Sequence, residues 1–243
     1  MRLWTFSRRC TREILRDPLN LFFGLGFPVA LILLLTAIQA NVPEPLFQIQ
    51  MLAPGISVFS LSFLTLFSST LIAKDRESAL LQRLYTTPLR PTDFILGYML
   101  PMIPLALLQT IVCYLLALTL GLPLTINIIY AIFATLPMAV FHISLGLFCG
   151  SIFNVKQVGG ICGALFTNLS GWLSGVWFDL SLVGGTFEKI ANMLPFAHAV
   201  NLEQSIIEGN YTSLTKHLFP VVVYAMIATL VAIFAFLNQT RKQ

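Results

Sequence analysis

Three groups of residues have types and spacings that could do work. The first is Lys74-Asp75-Arg76-Glu77, followed by Arg83, Arg90 and Asp93. Between them Leu80, Leu81 and Leu84 share one face of a helical turn, while Asp75, Ser78 and Gln82 fall on another. Pro88 and Pro91 end any helix here. Four basic and three acidic residues around an amphipathic turn suit a groove on a cytoplasmic partner. A loop that is merely solvated would have the same composition. The second group sets Ser57, Ser60, Ser62, Thr65, Ser68, Ser69 and Thr70 beside Phe59, Phe63 and Phe67. The third places Gly159, Gly163, Thr167, Gly171 and Gly175 four residues apart, with Asn168, Trp172 and Trp177 among them. Small residues at that interval let helix backbones approach closely. The glycines are therefore expected to serve helix packing or a dimer contact. Phenylalanines interleaved with hydroxyls pack against neighbouring helices or line a cavity. Phe59, Phe63 and Phe67, with Asn168 and Trp172, would then surround an amphipathic substrate.

Other chemistry has no residues to carry it. None of the five lysines follows Gly and precedes Ser or Thr, so no Walker A loop is present. There is no H-E-x-x-H or G-x-S-x-G, and His142, His198 and His217 are far apart in sequence. No catalytic residue, metal site or cofactor is expected in this chain. His142 reads as a hydrogen-bonded packing residue. Any work must draw its energy from outside the chain.

The elements that position these groups follow from where charge is absent. Hydrophobic residues make up 57% of 243 and charged residues 10%, with mean hydropathy +0.84. A soluble domain carries about 25% charged residues. The uncharged runs contain 26 residues between Asp17 and Glu44, 29 between Glu44 and Lys74, 62 from Phe94 to Val155, 22 between Lys156 and Asp179, and 24 between Lys216 and Arg241. About 20 apolar residues cross a bilayer as a helix, so the longest run makes two crossings, divided near Gly121-Leu-Pro123. The fold class is all-α integral membrane. Six spans are expected at Leu19 to Gln39, Met51 to Ala73, Phe94 to Leu120, Leu124 to Phe153, Gln157 to Phe178 and Leu218 to Leu237. The chain is one domain, 1–243.

Six crossings put both termini on one side, together with 12 of the 14 basic residues; only Lys189 and Lys216 lie opposite. The positive-inside rule makes the basic side cytoplasmic. This bias accounts for the net charge of +4 without a nucleic-acid partner. Residues 1–17 form an amphipathic helix in the headgroup plane. Leu3, Trp4, Phe6, Cys10, Ile14 and Leu15 occupy one half, and Arg2, Arg8, Arg9, Arg12 and Arg16 the other, near anionic lipid. That helix is an anchor, or an elbow that passes motion to the first span. Segment 179–216 lies outside, its 13-residue apolar part Ile190 to Leu202 too short to cross. Short re-entrant helices are expected there, with Phe187, Ile190, Leu194, Ala197 and Asn201 along one side. Cys10, Cys113, Cys149 and Cys162 contain no C-x-x-C pair, and no disulfide framework is expected. Asn210-Tyr-Thr212 matches a glycosylation pattern on the outward side.

Together these features resemble the ABC type-2 permeases, the membrane domains of ATP-binding-cassette exporters. The loop is similar to their pattern R-E-x-G-T-L-E-x-L-x-x-T/S-P-L. Here it reads Arg76-Glu77-Ser78-Ala79-Leu80-Leu81-Gln82-Arg83-Leu84-Tyr85-Thr86-Thr87-Pro88-Leu89, departing at Ala79, Leu80 and Gln82. Asn192 to Ala199 is similar to the P-x-x-h-A stretch before the last span. The resemblance implies a permease without ATPase activity of its own, in a bacterial plasma membrane, paired with a second copy or a similar chain. Two ATPase subunits would hold ATP and magnesium and dock on 74–93, through Arg76, Glu77, Leu80, Arg83 and Leu84. The substrate path would run near the second and fifth spans; family members move drugs, antibiotics, peptides and lipids. An ion-coupled transporter would need charges in its spans, a membrane enzyme polar clusters at the interface. A non-transporting assembly or sensor protein remains a rival.

Overall fold

A computed structural model describes residues 2–44, 46–78 and 91–240. All regular elements among the described residues are helical. The chain opens with α1 (Arg2–Leu15) and α2 (Pro18–Leu21), which runs through a wide π turn, Phe22–Gly26, into α3 (Phe27–Gln39). There follow α4 (Ile49–Ser60) and α5 (Phe63–Glu77), α6 (Pro91–Met99) and α7 (Met102–Thr119), then α8 (Asn127–Ala134) and α9 (Leu136–Ile152). Next α10 (Val155–Val158) continues through a π stretch, Gly159–Phe166, into α11 (Thr167–Ser174). Three helices, α12 (Leu180–Val183), α13 (Gly185–Met193) and α14 (Pro195–Ile207), precede the long α15 (Leu214–Thr240).

Five helical stretches among the described residues are long and apolar enough to cross a membrane: Phe22–Gln39, Ile49–Glu77, Thr92–Thr119, Asn127–Ile152 and Tyr211–Gln239. These correspond to five of the six expected spans. The remaining one, Gln157 to Phe178, is helical as far as Ser174 but is not among the five. Gln157, Asn168, three serines or threonines and four glycines dilute its hydropathy.

Most breaks within the long helices have a proline, as expected from its missing N–H: Pro101 separates α6 from α7, and Pro137 lies in the first turn of α9. The break between α4 and α5 has none. There the backbone tightens to i→i+3 bonds, Leu61 N to Val58 O at 3.1 Å and Ser62 N to Phe59 O at 3.0 Å. Ser60 Oγ donates to Ser57 O at 2.6 Å beside it, the back-bonding that bends helices.

The second span is the axis of the molecule. Its apolar window is 89% buried, against 22% for the first span and 17% for the last. A helix hydrophobic on all sides must be enclosed, and here all its hydroxyl residues but the half-buried Thr70 are covered. The closest backbone approach is made by α9. A Cβ at Gly146 would run into the Ser68 side chain and come within 2.6 Å of Thr65 O; one at Gly150 would lie 2.6 Å from Ser69 O. Thus Gly146-x-x-x-Gly150, common in membrane helices, is the pair that sets the packing of α9 on α5.

Two sequence expectations change. The apolar half of α1 faces protein: Phe6, Cys10 and Ile14 are buried, and the Phe6 ring sits edge-on 5.6 Å from Phe94 and 5.0 Å from Tyr98. Trp4 and Leu15, at the margin of that half, stay exposed. Segment 179–216 does not keep one face from Phe187 to Asn201. Leu194 is extended (φ −89°, ψ 158°) before Pro195, which starts a new helix and resets the register. Ile190 is consequently exposed while Phe196, Ala199 and Leu202 are buried.

Candidate functional site

Four consecutive charged residues end the second span, and each is held by a different part of the chain. Lys74 Nζ lies 3.4 Å from Asp17, just past α1. Asp75, almost fully buried, takes two bonds of 2.5 Å from the Arg9 guanidinium of α1 and one of 2.8 Å from Tyr98 OH of α6. The bonds to Asp75 raise the Arg9 pKa above its ordinary value, so that guanidinium stays charged. Arg76 donates to the carbonyls of Ser151 and Phe153, the latter at 2.6 Å, closing the C-terminus of α9. Glu77 Oε1 accepts from Val155 N at 2.8 Å, at the start of α10. Asn154 and Gln157 complete that start as a reciprocal capping box. Lys74 to Glu77 is therefore a hub joining α1, the third span, the end of the fourth and the helix after it. Of the residues expected to contact an ATPase, Arg76 and Glu77 belong to this hub. Leu80, Arg83 and Leu84 lie outside the described residues.

The five expected cavity residues divide into two groups. Phe59, Phe63 and Phe67 are buried within the chain. They form an aromatic column: Phe63 lies 5.9 Å from Phe59, 6.4 Å from Phe67, 5.9 Å from Phe23 and 5.5 Å from Phe27. Phe59 also meets Trp177 edge-on at 5.3 Å. Asn168 and Trp172 are not brought to that column. Trp172 is 52% exposed, and the Asn168 amide donates to Ala164 O at 2.8 Å on the outer face of its own helix. With Gly160 and Ala164 they form an exposed stripe, one residue per turn.

The glycines divide as well. A Cβ at Gly163 would lie 3.3 Å from Leu66, and one at Gly171 2.5 Å from the Trp177 indole nitrogen, so both serve packing inside the chain. Gly159 faces open space. Gly175 ends α11 with φ +77°, a left-handed position that favours glycine.

The opposite end of the second span carries a group that sequence reasoning missed. Glu203 of α14 is 1% exposed, its Oε2 2.6 Å from Tyr114 OH and 2.5 Å from Ser57 Oγ. Ser57 Oγ also lies 2.8 Å from Pro54 O. One hydroxyl proton cannot serve both oxygens. A protonated carboxyl resolves the pattern by donating to Ser57, which donates to Pro54. Burial agrees, pushing the Glu203 pKa from 4.5 up to about 8, while the bonds to Ser57 and Tyr114 pull it down. Glu203 Oε1 has no partner among the described residues. The available signal was Glu203 one turn after Ala199 and Val200 on an apolar helix face. Nearby, His198 Nδ1 and His217 Nδ1 meet at 3.1 Å and tie α14 to α15. Between these ends His142 is fully buried, with Nδ1 3.0 Å from Thr65 Oγ1, which also donates to His142 O at 3.1 Å.

Residues 1–207 match the family described as ABC-2 type transporter. ABC transporter G family member 20 of Dictyostelium discoideum is 28% identical over 163 residues, covering 65% of this chain and 22% of that protein. The chain thus spans less than a quarter of the length of that relative. With five membrane-length helices and a family match over residues 1–207, the chain is a multi-pass membrane protein and belongs to the ABC-2 type transporter family.

Proposed function

We propose that the chain is the permease subunit of an ATP-driven exporter of amphipathic substrates in a bacterial plasma membrane. A partner ATPase, in two copies, binds and hydrolyses ATP with magnesium; a second permease chain completes the pathway. The observation that carries this reading is the hub. A force on the loop after Glu77 enters α1, α6, α9 and α10 through Lys74, Asp75, Arg76 and Glu77. Coupling to an external motor requires such a junction, and among the described residues the charged side chains of the membrane-length helices lie only near their ends. In this reading 155–174 is the fifth of six crossings, both termini are cytoplasmic, and 179–216 is outside. The stripe Gly160, Ala164, Asn168 and Trp172 then faces the second permease across the substrate path. The aromatic column of Phe59, Phe63 and Phe67 backs that path from inside the protomer.

The test is transport of an amphipathic dye by vesicles holding the chain and its ATPase. Glu77→Lys removes the acceptor for Val155 N and places a cation at a helix N-terminus. The expected result is ATPase binding and hydrolysis without transport. Normal transport by this variant would reduce the hub to a passive brace.

A further inference from the structure

The outer face of α1 holds a basic cleft beside the hub. Its volume is about 810 Å³, and its lining includes Arg8, Arg12, Arg16, Thr5 and Lys74. Both carboxylates at the cleft are engaged, Glu13 by Arg9 at 2.7 Å and Asp17 by Lys74 at 3.4 Å. Arg9 itself is turned inward to Asp75. Arg8, Arg12 and Arg16, one helical turn apart and exposed, have no ion-pair partner among the described residues. Three like charges at that interval repel one another unless an anion lies between them. A second cleft of about 430 Å³ on the other side of Arg8 and Arg12 adds Trp4, Ser7 and Thr11.

The depth of the cleft favours one kind of anion. Phe6, Cys10 and Ile14 fasten α1 to the base of the third span, and Lys74 stands at the charged end of the second. The first span begins six residues beyond Arg16, at Phe22. Trp4, Leu15 and Phe22, exposed by 69%, 59% and 58%, border the row of arginines. Indole and apolar side chains beside guanidiniums at the ends of spans mark the layer between acyl chains and water.

We propose that Arg8, Arg12 and Arg16 bind the phosphate headgroup of an anionic phospholipid. Each arginine at such a surface favours anionic over zwitterionic lipid. Arg9 takes no part, because its charge is spent on Asp75.

The test uses the full chain in nanodiscs of phosphatidylcholine, alone or with about a quarter phosphatidylglycerol. Phosphatidylglycerol should raise the unfolding midpoint by roughly 6 °C or more. High salt should erase the shift, since the cleft is open to water. R8Q/R12Q/R16Q should unfold like wild type in phosphatidylcholine and lose most of the shift; R8K/R12K/R16K should keep much of it. Equal responses of wild type and R8Q/R12Q/R16Q would overturn the proposal. Reproduction of the shift by soluble glycerol phosphate in phosphatidylcholine discs would overturn a lipid as the source. An unchanged lipid response, with loss of ATPase co-purification in R8Q/R12Q/R16Q, would reassign the arginines to a protein partner.

Discussion

Asp75 and Glu203 are both buried carboxyls, one within the end of the second span and one against its other half, exposed by 2% and 1%. Each accepts a tyrosine hydroxyl, from Tyr98 at one end and Tyr114 at the other. They differ in their third partner. Asp75 has a guanidinium; Glu203 has a serine and no cation against it from α4, α7 or its own helix. A buried charge is tolerable only when paired, so one carboxyl is held ionised and the other neutral. The ionised end is a stiff strut, because separating Arg9 from Asp75 strands a charge in the protein. The neutral end is a latch, because parting α14 from the second and third spans breaks only hydrogen bonds between uncharged groups. This contrast suits the proposed coupling, in which motion enters at the hub end and the other end parts.

The strut should give the largest loss of stability from a single substitution. Arg9→Ala is expected to cost about 3 kcal/mol, the lower range for breaking a buried pair, because the Arg9 side chain is 36% exposed. The midpoint of thermal unfolding in detergent measures it. Arg9→Met with Asp75→Leu should recover most of the loss, since a packed apolar pair leaves no stranded charge. Should the double variant be as unstable as Arg9→Ala, the strut depends on more than charge pairing. Tyr98→Phe should cost about 2 kcal/mol, the value of a hydrogen bond to an ionised acceptor.

Glu203 should make stability depend on pH. Its folded pKa lies above the unfolded value, 4.5 against about 8, so the native state binds the extra proton between them. Stability is therefore full below pH 4.5 and falls as pH rises toward 8, by about 1.4 kcal/mol per pH decade. Glu203→Gln keeps a neutral group there and should flatten this slope while unfolding like wild type at low pH. A slope unchanged in Glu203→Gln would show that another group titrates.

The same contrast separates what the sequence could reveal from what it could not. Charge-free runs marked five membrane-length helices, because in lipid composition alone decides where a helix can lie. Side-chain partners were a different matter. Lys74 to Glu77 reads as a solvated loop or a docking motif; nothing local announces that Asp75 meets Arg9 across 66 positions, or Arg76 the carbonyls of Ser151 and Phe153. The cavity expectation joined Phe63 to Trp172 because helical spacing gives faces but not which way a face points. Enclosure of the second span turned its phenylalanines inward, while the stripe with Asn168 and Trp172 remained outside. Glu203 sits outside the charge-free runs, so counting charges within spans could not find it.

The smallest effect belongs to Tyr114→Phe, and it sharpens the latch. The Tyr114 hydroxyl lies 2.6 Å from Glu203 Oε2, and the acid it serves is neutral at pH 7. Its loss should cost about 1 kcal/mol, half the cost of Tyr98→Phe. The pH dependence gives the finer reading. The Tyr114 bond lowers the Glu203 pKa against the larger effect of burial. Without the hydroxyl that pKa rises further above 8, and the decline in stability with pH continues beyond the wild-type limit. Unfolding midpoints of wild type, Tyr114→Phe and Tyr114→Phe with Glu203→Gln, followed from pH 5 to 9, test both statements. A Tyr114→Phe decline that ends at the wild-type pH would mean that the hydroxyl does not favour the ionised acid, and a cost equal to that of Tyr98→Phe would mean that Glu203 is ionised in its pocket and that the two ends are alike.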